Sequence, residues 1–168
     1  TEQQMKELDE IYSTLGRAVK LNKSLLLLSR IENGQYTESE DVSVDEILEN
    51  LLPDLMDIYE HKQVRLLRKQ GEQPFIIRCN HSLAQILVSN LVKNSLLHNR
   101  EEGELQVLTT PTSLVIKNTG DVPLDGEKLF RRFYHGMDGK KDSTGLGLAI
   151  ARSIALSSSL KLPYEWQG

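Results

Sequence analysis

Residues 2–33 constrain the fold more than any other part of the sequence. They contain no proline and a single glycine, Gly16. Leu8, Ile11, Leu15, Ala18, Asn22 and Leu25 recur at alternating three- and four-residue steps, and Val19, Leu21, Leu26 and Leu28 widen the stripe. That is the seam of a coiled coil or helical bundle. Asn33-Gly34 is a suitable stop, because glycine enters the left-handed conformation that ends helices at no steric cost. A helix of about 30 residues is roughly 45 Å long. It is too long to be one wall of a small core, so the chain of 168 residues reads as one ordinary domain with a helical appendage.

Charge and cysteine content exclude several function classes. The net charge of −4 argues against a nucleic-acid binder held by bulk charge, which would carry a basic excess. No purely apolar run exceeds the four residues of Leu25 to Leu28, so neither a membrane span nor a signal peptide is visible. One cysteine, Cys79, excludes an internal disulfide framework and a Cys-based zinc site. The four histidines, His61, His81, His98 and His135, are too scattered for a helical zinc pair.

Beyond the leading helix, the acidic stretch 37–41 reads as a linker and Val42-Ser43-Val44 as a short strand. Asp45 is placed to cap a helix through Ile47, Leu48, Leu51, Leu52, Leu55 and Ile58, with Pro53 a local irregularity. Residues 64–67 and 75–77 are strand candidates separated by a turn-like segment. Asn80 suits the cap of a helix that continues to the Glu101-Glu102-Gly103-Glu104 stretch. Residues 105–108 and 113–116 form a hairpin turning at Pro111-Thr112. A glycine-punctuated stretch, 118–147, precedes a helix over 146–158 and a last strand over 160–166. Connected hairpins favour a mixed or antiparallel sheet over a doubly wound parallel one.

Four segments carry candidate chemistry. Asn90, Asn94 and His98 share one helical face, and amide carbonyl oxygens are neutral ligands for a hard cation; solvated polar residues on an outer face would look the same. In Thr144-Gly145-Leu146-Gly147-Leu148 a glycine loop opens into a helix, an arrangement suited to polyanions, with Lys140 and Lys141 just upstream. A flexible hinge is the plainer alternative there. The P-loop pattern fails for want of a following Gly-Lys-Ser/Thr, and the dinucleotide fingerprint fails because Ile150 stands at its third glycine. Asn118-Thr119-Gly120 ends a β-branched run, as an ordinary turn also would. Leu129-Phe130-Arg131-Arg132-Phe133-Tyr134 is either a functional segment or a small apolar cluster with its arginines in water.

The order of these four motifs is far more specific than any one of them. An Asn-x-x-x-Asn helix, an Asn-x-Gly turn, a Leu-Phe-x-x-Phe-Tyr segment and a Thr-Gly-Leu-Gly-Leu loop resemble, over 41–166, the ATP-binding catalytic domain of bacterial sensor histidine kinases (the GHKL or Bergerat superfamily). The family calls them the N box, first glycine box, F box and second glycine box. The resemblance implies an α+β fold: a two-layer α/β sandwich, a mixed sheet packed on three helices, preceded by a long helix. It divides the chain into residues 1–36, the second helix of a dimerisation and phosphoacceptor hairpin, a linker at 37–41, and the catalytic domain at 42–168 with its last strand truncated.

The resemblance also implies ATP and Mg²⁺, with Asn94 holding the metal against the phosphates. Asn90 stands where related ATPases have a glutamate that activates water; an amide is no general base, so transfer to a protein acceptor is favoured over hydrolysis. Asn118 and Gly120 would meet adenine. Thr144, Gly145, Leu146, Gly147 and Leu148 would cradle phosphate, with His98, Phe133 and Tyr134 completing the nucleotide site and 136–144 forming a lid. Departures from the family pattern are Asn118 for an aspartate, Val122 for a glycine, Leu97 for a basic residue that reaches the phosphates, and His135 for another basic residue. No histidine precedes His61, so the chain is expected to lack its own acceptor. The expected partners are a second copy through the leading helix and a response regulator receiver domain, with no nucleic acid, and a membrane only through segments outside these residues. The expected location is cytoplasmic. Two other readings are a degenerate module that acts by docking and an anti-sigma-type serine kinase of the same fold, the latter disfavoured by the leucine-rich leading helix.

Overall fold

The structure, a computed structural model, describes residues 1–134 and 144–167. The expected lid, apart from Thr144, lies outside the described residues, as do His135, Lys140 and Lys141. Helix α1 (Glu2–Glu32) ends as its sequence requires, with Gly34 at φ +67°. Its residues 2–20 are exposed on every face, whereas Leu28 and Ile31 are buried where the helix packs on α4 (Gly147–Ser157).

Strand β1 (Glu40–Ser43) passes directly into α2 (Val44–Ile58). Ser43, not Asp45, caps this helix: its hydroxyl accepts from the Glu46 amide at 3.3 Å. Asp45 fails as a cap because it sits inside the first turn and faces the core, only 2% exposed. There its carboxylate accepts from Arg68 and from the Thr109 hydroxyl, both at 2.5 Å, and from the Phe75 amide at 2.7 Å. Burial alone would raise this carboxyl's pKa, but those three donors and the Arg68 charge outweigh it and hold the pKa below its ordinary value.

The strands form a two-stranded and a three-stranded sheet. β1 pairs antiparallel with β3 (Ile76–Cys79), from Glu40 opposite Cys79 to Ser43 opposite Ile76. β2 (Arg65–Gln70) runs parallel to β4 (Glu104–Thr110), which pairs antiparallel with β5 (Ser113–Asn118), in the order β2-β4-β5. The three-stranded sheet is mixed, as expected. The two strand candidates flanking residues 70–74 do not pair with each other but enter different sheets. α3 (His81–Leu97), capped by the Asn80 side chain on the Leu83 amide at 3.1 Å, packs between α2 and α4. The fold is therefore α+β, with helices on a mixed sheet behind a long leading helix.

One apolar core joins the layers: Leu28 of α1, Leu48 of α2, Val88, Val92 and Leu96 of α3, Leu105 and Val107 of β4, and Leu146 and Ile154 at α4. Several element ends differ from expectation by a residue or more, Val44 opening α2 instead of closing β1 for example, and two differences are larger. α3 ends at Leu97, short of residues 101–104, because the chain turns there to enter β4. Residues 160–166 form no strand; they lie beside the loop after β5, where the Tyr164 hydroxyl accepts from the Leu124 amide at 3.1 Å. No helix among the described residues is long and apolar enough to cross a membrane.

Candidate functional site

α3 buries Leu83, Ala84, Leu87, Val88, Val92, Ser95 and Leu96. The periodicity of these residues leaves Asn90, Asn94 and His98 half-buried at the boundary of the apolar face. Such residues are desolvated enough to hold a direction yet accessible to a ligand. Asn90 Nδ2 donates to the Gly147 carbonyl at 3.0 Å, a bond that links residues 57 apart and sets the Asn-x-x-x-Asn helix against the start of α4.

The glycine loop is built for a close approach. Gly145 takes φ +71°, which a side chain would strain, and its carbonyl accepts from the Phe133 amide at 2.8 Å. Phe133 itself has φ +63°. Leu146 is fully buried and anchors the loop, while its amide donates to the Thr144 hydroxyl at 3.4 Å. Thr144, Gly145, Gly147 and Leu148 stay half-buried around it. Among the described residues no side chain caps α4, and its first turn holds no acidic residue that would oppose the positive end of the helix dipole. Neutral oxygen donors on α3 beside an uncapped helix start suit a polyanion paired with a hard cation.

The other two motifs are less enclosed. Asn118 is exposed and its Nδ2 donates to the Thr119 carbonyl at 3.3 Å. Gly120 faces the Trp166 ring, which a Cβ would meet at 3.5 Å. In the Leu129–Tyr134 segment only Leu129 is buried; Phe130 and Tyr134 are half-buried and Phe133 is exposed, with Arg131 and Arg132 in water. The structure thus brings the Asn-x-x-x-Asn helix and the Thr-Gly-Leu-Gly-Leu loop together through Asn90 and Gly147, and ties the Phe-Tyr segment to that loop through Phe133 and Gly145. No group of three or more His, Cys, Asp or Glu residues among the described residues is placed to hold a metal.

Three features were missing from the sequence reading. Lys62, in the 3₁₀ turn Glu60–Lys62, reaches the end of α3, and Asn99 is buried in the turn that follows. Arg132 pairs with Glu32 at the end of α1 at 2.6 Å, across 100 residues of sequence. None has a local signal, because each depends on a partner brought near only by the fold. A groove of about 700 Å³ between β1, α2 and α3 also touches Asn90 and Lys93, and Glu40, Asp41, Glu46 and Asp54 give it an acidic wall.

No protein-family profile matches the chain. It is 27% identical over 158 residues to the heme sensor protein HssS of Staphylococcus epidermidis, a match taking in 88% of this chain and 33% of HssS. With the sensor protein CutS of Streptomyces coelicolor it shares 30% identity over 155 residues, 86% of this chain and 37% of CutS. The chain therefore spans about a third of the length of the curated relatives it matches. Among solved structures, the Acinetobacter baumannii histidine kinase AdeS superposes with a TM-score of 0.70 at 20% identity, covering 89% of this chain and 72% of that one. At that identity the likeness speaks for the fold.

Proposed function

Because this chain is homologous to the sensor histidine kinases over the segment that carries the four motifs, we propose that it is the ATP-binding catalytic part of such a kinase. Its substrates are ATP and a histidine on a dimerisation helix outside these residues. The observation that carries this reading is the Asn90–Gly147 bond, which sets the two-asparagine helix face beside the glycine loop.

Each residue's part follows from its chemistry. Asn90 has no basicity and spends its amide N–H on Gly147, so it positions the start of α4 rather than activating water. That favours transfer to a protein side chain over hydrolysis. The Asn94 carbonyl oxygen is a neutral donor of the kind a hard divalent cation takes, and Asn94 would hold Mg²⁺. Bound there, Mg²⁺ supplies charge neutralisation for phosphate oxygens. The Gly145–Leu148 backbone and the α4 dipole bind phosphate, while Asn118 and Gly120 receive adenine through a hydrogen bond that lacks the charge assistance of an aspartate. His98, Phe133, Tyr134 and Thr144 border the same site. The exposed stripe of α1, with Leu8, Ile11, Leu15 and Val19, pairs with another copy in the longer protein, and a receiver domain takes the phosphoryl group onward.

Incubating the chain with γ-labelled ATP, Mg²⁺ and a hairpin polypeptide bearing the acceptor histidine tests the transfer. Label is expected on the histidine, stable to base and lost in acid, and Asn94→Ala is expected to reduce the rate at least a hundredfold, the scale of losing an electrostatic clamp on a transferring phosphoryl group. Equal rates for the wild type and Asn94→Ala would remove Asn94 from the site.

A further inference from the structure

The turn after α3 is held by more bonds than a helix-to-strand connection requires. Lys62 Nζ donates to the carbonyls of Leu96 at 2.9 Å, Leu97 at 2.5 Å and Asn99 at 3.0 Å. A helix end leaves its last carbonyls without intrahelical donors, and an ammonium has three N–H groups and a charge that suits the negative end of the dipole. The backbone reinforces the contact: the Glu102 amide donates to the Lys62 carbonyl at 2.8 Å, and the Arg65 amide to that of Gly103 at 2.9 Å.

Asn99 continues the connection. It is 3% exposed, and its Nδ2 donates to the Glu104 carbonyl at 3.0 Å. Turning the amide over would lose that bond, although Oδ1 has no partner among the described residues. Gly103 must be glycine, since a Cβ there would overlap Asn99 Oδ1. The Glu104 backbone, in turn, is gripped by Thr119. The Thr119 hydroxyl accepts from the Glu104 amide at 3.0 Å, and the Thr119 amide donates to the Glu104 carbonyl at 3.1 Å. Thr119 lies between Asn118 and Gly120. A continuous set of bonds therefore joins the end of the helix bearing Asn90, Asn94 and His98 to the Asn-Thr-Gly turn.

We infer that Lys62 is a positioning residue that sets the separation between the α3 face and the Asn118–Gly120 turn, acting through Asn99, Glu104 and Thr119. Its ammonium ties three backbone carbonyls of the junction together, which fixes the distance that a ligand spanning both segments must bridge. The link to ligand binding rests on the proposed ATP reading; the junction itself does not.

Lys62→Met in the full chain keeps the length and packing of the stem and removes the ammonium. Amide hydrogen exchange without nucleotide is expected to speed up at residues 96–104 and also at Thr119 and Gly120, with the β1–β3 pair unchanged. Faster exchange that stops at residue 104 would overturn the inference. Competition titrations give the second readout. ATP, which touches both segments, is expected to bind about tenfold more weakly, the equivalent of one charge-assisted hydrogen bond, while adenosine, which touches one, keeps its affinity. Equal weakening of both ligands would mean a merely structural role. Thr119→Val, which removes only the hydroxyl link to Glu104, is expected to give the same split and guards against a misfolded lysine variant. A wild-type chain that binds neither ligand would sink the ATP reading, and the exchange data would still decide the junction.

Discussion

Asp45 and Lys62 are charged side chains that the fold draws inward, each beside partners remote in sequence. Asp45 meets Arg68, Phe75 and Thr109, which lie 23, 30 and 64 residues away. An acidic residue at the start of a helical pattern looks like a cap, and nothing local distinguishes a cap from a core anchor. The Asn80 cap and the shared half-buried face of Asn90 and Asn94 were legible because both depend on spacing within one helix. The buried carboxylate makes a stability prediction with a definite sign. Its pKa is lowered in the folded chain from the unperturbed 3.8, so the unfolded state takes up a proton first as pH falls. The stabilisation is complete above the unfolded value and is lost as pH drops through the lower folded one. Urea midpoints measured from pH 6 to pH 2.5 should fall more steeply for the wild type than for Asp45→Asn below about pH 4. At neutral pH, Asp45→Ala should cost about 3 kcal/mol, because it strands the Arg68 guanidinium, which is only 20% exposed. Parallel acid limbs for the wild type and Asp45→Asn would show that this carboxylate does not drive the acid loss.

At the scale of elements, α1 is two different helices in one. Its N-terminal 20 residues expose an apolar seam, while its last turns bury Leu28 and Ile31 in the core shared with Leu146, Ile150 and Ile154. Periodicity revealed the helix but not this division, since both halves repeat apolar residues at the same steps. The same limit explains the strands. The β4–β5 hairpin was legible from its short turn, whereas β2 and β3, equally strand-like, gave no sign that they enter separate sheets. Partner choice is a long-range property that local patterning does not encode. Leu28, 1% exposed, tests the division directly. Leu28→Ala should destabilise the fold by about 2–5 kcal/mol in chemical denaturation, the range for emptying a buried leucine site. A cost near zero would mean that the end of α1 is dispensable to the core.

For the molecule as a whole, the order of the motifs along the chain carried more than any single motif. Each alone had an ordinary reading as a wet helix face, a hinge, a turn or an apolar cluster. In sequence they describe one α+β architecture, and the fold sets the α3 face that bears Asn90 against Gly147 at the start of α4. What lay beyond sequence reading is the set of connections that holds this face in shape: Lys62 beneath α3, and the Phe133–Gly145 bond between the aromatic segment and the loop. The central claim is that this face takes ATP with a divalent cation at Asn94. Calorimetric titration of the chain with ATP decides it, run with Mg²⁺, with chelator in place of Mg²⁺, and on Asn94→Ala. The account predicts saturable binding with Mg²⁺ that is lost in the other two arms while the circular dichroism spectrum is unchanged; no binding by the folded wild type at millimolar ATP and Mg²⁺ would contradict it.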